Sequence, residues 1–317
     1  MNSGIHAGFV RGRNRLAKRL SELRLLCAAF LLIALFLPLR SLAQSGPQNS
    51  PQSATDVSHL IAQIRAKAAT LETNHGMRKA FHDFAAEHKI APDSIRYSDF
   101  VIVHLLFEAT RDAGFWNMRW SITDQPPNSD RIWSQWKNVR APSVTAPTAI
   151  AECDELSALY AFLVERAGVK SVGLFWPYPN HTVAVWTPRL LAGAPIRVVV
   201  PTSQIFLTED DTFDTRKFDP WHQKTIYEYT RRDVSDSFEL PKPLFDFFLS
   251  QLDEYAGASE SASQQIRNLR SSVFQNVLTP DAAAHEALRR ENAYARSEPD
   301  HVAFQSFAKG LLAASVN

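Results

Sequence analysis

The sequence predicts an α+β protein: helices at both ends and, between them, a helix followed by short antiparallel strands. Three observations support this reading. Apolar residues recur at helical spacing from Thr55 to Lys89 and again from Leu244 to Arg296. A Leu-rich stretch that opens near Thr148 presents Leu156, Leu159, Tyr160 and Leu163 on one face and stops at Gly168. Ser171 to Trp176, Thr182 to Trp186 and Arg197 to Val200 are short, β-branched or aromatic, and separated by turns containing Pro or Gly. Strands and helices do not alternate, as they would in a parallel α/β sheet.

The first 43 residues read as an export signal. Seven cations and the single anion Glu22 are followed by the apolar run Leu25 to Leu39 and by Ser41-Leu42-Ala43, whose small residues suit cleavage after Ala43. An uncleaved membrane anchor is the alternative, although fifteen apolar residues containing Pro38 fall short of the roughly 20 that span a bilayer. Residues 44–54 are polar and rich in Pro, Gly and Ser, a flexible tether. Residues 55–114 form an N-terminal helical region, with two helices broken near Asn74-His75-Gly76 and a third from Ser98 to Ala113, closed by Gly114, for which a buried strand at its centre is the competing reading. Phe115 to Pro147, with Trp116, Trp120, Trp133 and Trp136 among prolines, reads as a long loop region opening a core of residues 115–235. Thr225 to Thr230 alternates like a further strand, and residues 236–317 resume as helices over Leu244 to Tyr255, Ala262 to Val277 and Pro280 to Arg296.

Processing changes the composition. The whole chain of 317 residues has 34 cations, 33 anions and a formal charge of +1; removing the signal's seven cations and one anion leaves 27 and 32. A mildly acidic mature protein gives no basic surface for nucleic acid. The same cleavage removes Cys27, so Cys153 is left without an intramolecular disulfide partner. His82 and His88, six residues apart, do not share a helix face as a zinc pair would, and Glu209, Asp210, Asp211 and Asp214 lack the glycine and spacing of a calcium loop. No Gly-rich phosphate loop and no Gly-x-Ser-x-Gly elbow is present. No cofactor or metal is implied.

Cys153 is therefore the candidate nucleophile. Placed in the first turn of a helix, it faces the positive end of the helix dipole and unpaired N–H groups, which favour a thiolate and can hold an oxyanion. His181 heads a strand 28 residues later, after a turn carrying Pro177 and Pro179, and can return to the helix start as the base.

This arrangement resembles the transglutaminase-like superfamily of papain-type cysteine enzymes. The resemblance rests on Cys153-Asp154, the helix Leu156 to Val164, the turn Arg166-Ala167-Gly168-Val169, His181 before Thr182 to Trp186, and Val198-Val199-Val200-Pro201-Thr202, within Trp116 to Gln204. It implies a Cys-bearing helix packed on an antiparallel sheet, and an acyl-thioester at Cys153 with His181 moving the proton. The superfamily's orienting acid falls on Val200, which accepts no hydrogen bond; Thr202 or Gln204 at the same strand end can offer a neutral acceptor instead. An upstream Trp often assists the oxyanion in such enzymes, which points to Trp120, with Trp116 as its neighbour. Two functions remain open at this point. One is an exported, periplasmic or secreted amide hydrolase or acyltransferase acting on a peptide or protein. The other is a non-catalytic envelope binding or scaffolding protein that keeps the fold with a degenerate site.

Overall fold

The computed structural model describes residues 54–123, 125–126, 128–178, 181–191, 195–203, 227–228 and 238–314. The expected signal, and the tether up to residue 53, lie outside these. Ala54 does not belong to a tether: it opens strand β1 (Ala54–Asp56), which pairs antiparallel with a strand near the other end of the core.

Helix α1 (Val57–Leu71) starts where the Asp56 side chain accepts the His59 N–H at 2.8 Å, and it buries Val57, Leu60, Ile61, Ile64, Ala68 and Leu71. Asn74 caps α2 (His75–Glu87) in the same way, so the break predicted at Asn74-His75-Gly76 falls just ahead of His75. Helix α3 (Tyr97–Thr110) is buried on nearly every side, which is why its apolar run admits a strand reading as well as a helical one. At Gly114 a Cβ would lie 2.6 Å from the Glu108 carbonyl oxygen, so the turn after α3 requires glycine.

The stretch Phe115 to Pro147 is not one long loop. It holds β2 (Met118–Trp120) and the short helix α4 (Arg131–Trp136). Periodicity cannot find elements of three and six residues. They are held by buried Trp116, Trp133 and Trp136, with Trp116 stacked on Phe248 at 4.5 Å. The helix expected to open at Thr148 begins at Cys153 instead: Ala149–Ala151 form β3, paired in parallel with β2. Helix α5 (Cys153–Arg166) then runs through the centre with Leu156 to Val164 all buried, and ends at Gly168, whose φ of 105° suits glycine. Arg65 of α1 donates to the carbonyls of Ala167 and Arg166 at 3.0 and 2.6 Å, placing a cation at the negative end of α5.

Strands β4 (Val172–Tyr178), β5 (His181–Trp186), β6 (Val198–Val200) and β7 (Tyr227–Glu228) form an antiparallel sheet in the order β6-β5-β4-β7. Alternation splits its apolar residues: Ala184, Trp186, Val198 and Val200 join the main core, whereas Phe175, Val183, Val185 and Val199 form a second cluster. The rest of the strand expected over Thr225 to Thr230 lies outside the described residues. Strand β8 (Glu239–Pro241) pairs with β1 and leads into α6 (Lys242–Gly257), α7 (Glu260–Phe274) and α8 (Pro280–Tyr294), close to the expected ranges. A further helix, α9 (Glu298–Ala314), was not read from the sequence. Its buried Phe304, Phe307, Ala308 and Leu311 do follow helical spacing, and they pack with α7 and α8 in a separate apolar cluster. The main cluster joins residues from α1 through α6. Among the described residues, no helix is long and apolar enough to cross a membrane.

Candidate active site

Cys153 is the first residue of α5 and is buried. The turn before it is stiffened from three directions. Glu155 takes the Glu152 backbone N–H at 2.7 Å, while Glu152 takes the N–H and hydroxyl of Thr123 at 2.8 and 2.6 Å. Arg131 bridges the Thr123 hydroxyl at 2.6 Å and the Glu155 carboxylate at 3.2 Å. The side-chain amide of Gln135 meets both the N–H and the carbonyl of Ile150, satisfying β3 ahead of the thiol as a neighbouring strand would.

The antiparallel sheet delivers the partner segment. The Thr182 N–H points at the Cys153 sulfur, with N and Sγ 3.4 Å apart. Two covalent bonds separate that nitrogen from the His181 Cα, so this Cα lies within about 6 Å of the sulfur. Cys153 and the head of β5 therefore meet, and His181 is buried beside them. Ser157, one turn along α5 from Cys153, ties the helix to both strands: its hydroxyl donates to the Thr182 carbonyl at 3.3 Å and lies 3.1 Å from the Thr202 hydroxyl. Ser157 was not among the candidates read from the sequence. The available signal was a serine four residues after the cysteine on an otherwise apolar helix face.

The remaining expected residues are placed as follows. Thr202 is buried at the end of β6, and its carbonyl accepts the Asp112 N–H at 2.7 Å. Trp120 is half-buried and stands opposite Ala151 in the β2–β3 register, two residues ahead of Cys153, with its backbone N–H held by the Asp112 carboxylate at 2.7 Å. Asp112 thus ties Trp120 to Thr202, a link that sequence spacing does not reveal. Trp116 is buried against Phe248 and donates its indole N–H to the Phe248 carbonyl, a packing role. Val200 is fully buried in the main apolar cluster. Gln204 lies outside the described residues.

Electrostatics correct one expectation. Burial pushes the Cys153 thiol up from its ordinary range, and the adjacent Asp154 carboxylate adds to this; the N–H groups of Thr182, Asp154 and Cys153 oppose it without prevailing. The helix start therefore does not produce a standing thiolate. Burial also lowers His181 to about 4, so near neutral pH a protonated thiol sits beside a neutral imidazole. A neutral imidazole can accept the thiol proton as a new bond to sulfur forms, without a preformed ion pair.

Searches of family models, curated proteins and solved structures returned no match to this chain.

Proposed function

We propose that this is an exported thiol enzyme that cleaves or exchanges amide bonds in peptides or proteins through an acyl-thioester at Cys153. The approach of the β5 head to the sulfur, through the 3.4 Å contact from Thr182 N–H, is the observation that carries this reading. In the forward step the sulfur–carbon bond forms while His181 takes the thiol proton. The tetrahedral oxyanion rests on N–H groups at the start of α5. The carbon–nitrogen bond then breaks and the amine leaves with the proton from His181. Water or a second amine attacks the thioester, giving up a proton through His181 and restoring the thiol. Thr202, in contact with Ser157, and Gln204 are the proposed neutral orienting groups; Trp120 is the proposed oxyanion neighbour.

The superfamily that this arrangement resembles would have an acid where Val200 stands, and Val200 is built into the apolar core. That favours a second reading, a binding or scaffolding protein of the envelope with a degenerate site. Incubation with a panel of peptide p-nitroanilides, read by nitroaniline release and by intact mass, separates the two. The enzyme reading expects release and an acyl adduct, both abolished by Cys153→Ser, and a rate at least about a hundredfold lower in His181→Ala. Release that survives Cys153→Ser overturns it, as does a panel with no turnover from a folded chain.

A further inference from the structure

Two exposed apolar side chains border the buried thiol, one from each side. Ile122 runs past the start of α5: the Ser121 N–H before it goes to the Ala151 carbonyl at 3.0 Å, and the Thr123 N–H after it to the Glu152 carboxylate at 2.8 Å, the two residues just ahead of Cys153. Its side chain is 68% exposed. Trp176 lies in β4 between Phe175, paired with Val183, and Tyr178, paired with His181, where the register shifts. It therefore stands across from Thr182, whose N–H contacts the Cys153 sulfur at 3.4 Å. Adjacent strands lie about 4.8 Å apart, so the Trp176 Cα is within roughly 10 Å of the sulfur, a span that an indole side chain covers. Phe175 turns into the second apolar cluster and Leu174 packs on the main one, which includes α5, so alternation turns Trp176 to the α5 side, where it is 38% exposed.

The surroundings disfavour charge. Burial holds the thiol and the imidazole neutral and pushes the Asp154 carboxyl, next to Cys153, toward its neutral form. An ammonium placed there leaves water without gaining an opposite charge, since Glu152 is already taken by the N–H and hydroxyl of Thr123. A carboxylate fares no better, because the Thr123 hydroxyl holds Glu152 below the ordinary carboxylate range, a fixed negative charge beside Ile122. What remains is the burial of carbon. The part of a substrate that stays on the sulfur in a thioester is the acyl group, so the acyl side is the one that Ile122 and Trp176 touch.

We infer, resting on the enzyme reading above, that Ile122 and Trp176 select an acyl donor with a large uncharged apolar side chain, aromatic or branched aliphatic, next to the carbonyl that Cys153 attacks. Two measurements keep this separable from the enzyme reading itself. Alkylation of Cys153 in the full chain, read by peptide mass spectrometry, needs no turnover. The rate with N-benzyliodoacetamide over that with iodoacetamide is expected to be at least about tenfold higher in the folded chain than in the urea-unfolded chain, and to fall several-fold in Trp176→Ala and in Ile122→Ser. Among acetyl-amino-acid p-nitroanilides, Phe and Leu donors are expected to exceed Glu, Lys and Gly donors at least about tenfold in kcat/KM. Equal alkylation ratios in the folded and unfolded chains overturn the inference, as does turnover that ignores the donor's side chain. So does an unchanged ratio in folded Ile122→Ser, a variant whose exposed position spares the core should Trp176→Ala not fold. A benzyl preference with no anilide turnover supports the apolar selection and overturns only the enzyme reading.

Discussion

Two buried polar regions of this molecule solve opposite problems. Where α5 meets β5, Cys153 and His181 are held neutral: burial raises the thiol and lowers the imidazole. Where α3 meets α7, charge is retained. Glu108, Arg111 and Arg267 are all nearly inaccessible, and the two guanidinium groups hold the Glu108 carboxylate below its ordinary range despite the opposing effect of burial. A buried group keeps its charge when an opposite charge is built in beside it and gives it up when none is. The first region thus rests uncharged, as the proposed transfer of one proton requires. The second is committed to holding ions, and Arg270, with Glu254 as its charge partner, lies beside it.

The strongest way to break this contrast is to remove the shared acid. Glu108→Gln leaves Arg111 and Arg267 buried without their carboxylate and is expected to destabilise the fold by about 3–5 kcal/mol, read from the urea midpoint. A change below about 1 kcal/mol would mean that the charges there are not mutually dependent. Next in size is the reverse experiment at the neutral region. Val200→Asp places a carboxylate in the main apolar cluster and is expected to cost at least about 2 kcal/mol at pH 7, with part of the loss recovered in acid as the carboxyl takes up a proton. A stable variant with faster amide turnover would show instead that the end of β6 can still host a triad acid.

The smallest effect sharpens the contrast through pH. The folded pKa of His181, about 4, lies below the ordinary 6.5, so the unfolded chain binds more protons between these values. Its contribution to stability is therefore complete above about pH 6.5 and declines as the pH falls toward 4. Burial lowers His104 as well, so it acts in the same direction. The urea midpoint of the parent, followed from pH 7 to pH 4 beside that of His181→Phe, isolates the first histidine and is expected to fall relative to the variant's in acid. A constant difference would contradict a neutral imidazole.

Much of the architecture was legible because burial leaves a period in the sequence. Helix α1 shows it in Val57, Leu60, Ile61 and Ile64, and α5 shows its stop in Gly168. The same signal was present in α9 and went unread. Elements too short for a period were missed: β2 and β3 are completed by pairing with each other and by the Gln135 amide at Ile150, and α4 by the packing of Trp136 on Phe248. At the site, the places of Cys153 at the start of α5 and of His181 at the head of β5 were legible. Ser157 and Asp112 were not, since Ser157 acts through partners 25 and 45 residues away and Asp112 links Trp120 to a residue 90 positions on.

By itself the sequence determined the types of the longer elements, the order of helices around a central sheet, and the place of the Cys153 thiol at a helix start. Local propensity and periodicity suffice for these, because each depends on residues within a few turns of one another. Only the tertiary structure decided the ionisation of that thiol, the burial of Val200 where an acid was expected, and the gathering of Glu108, Arg111 and Arg267 into one buried cluster. Those properties depend on how much water and which charges surround a group, and that environment is assembled from segments the sequence keeps apart.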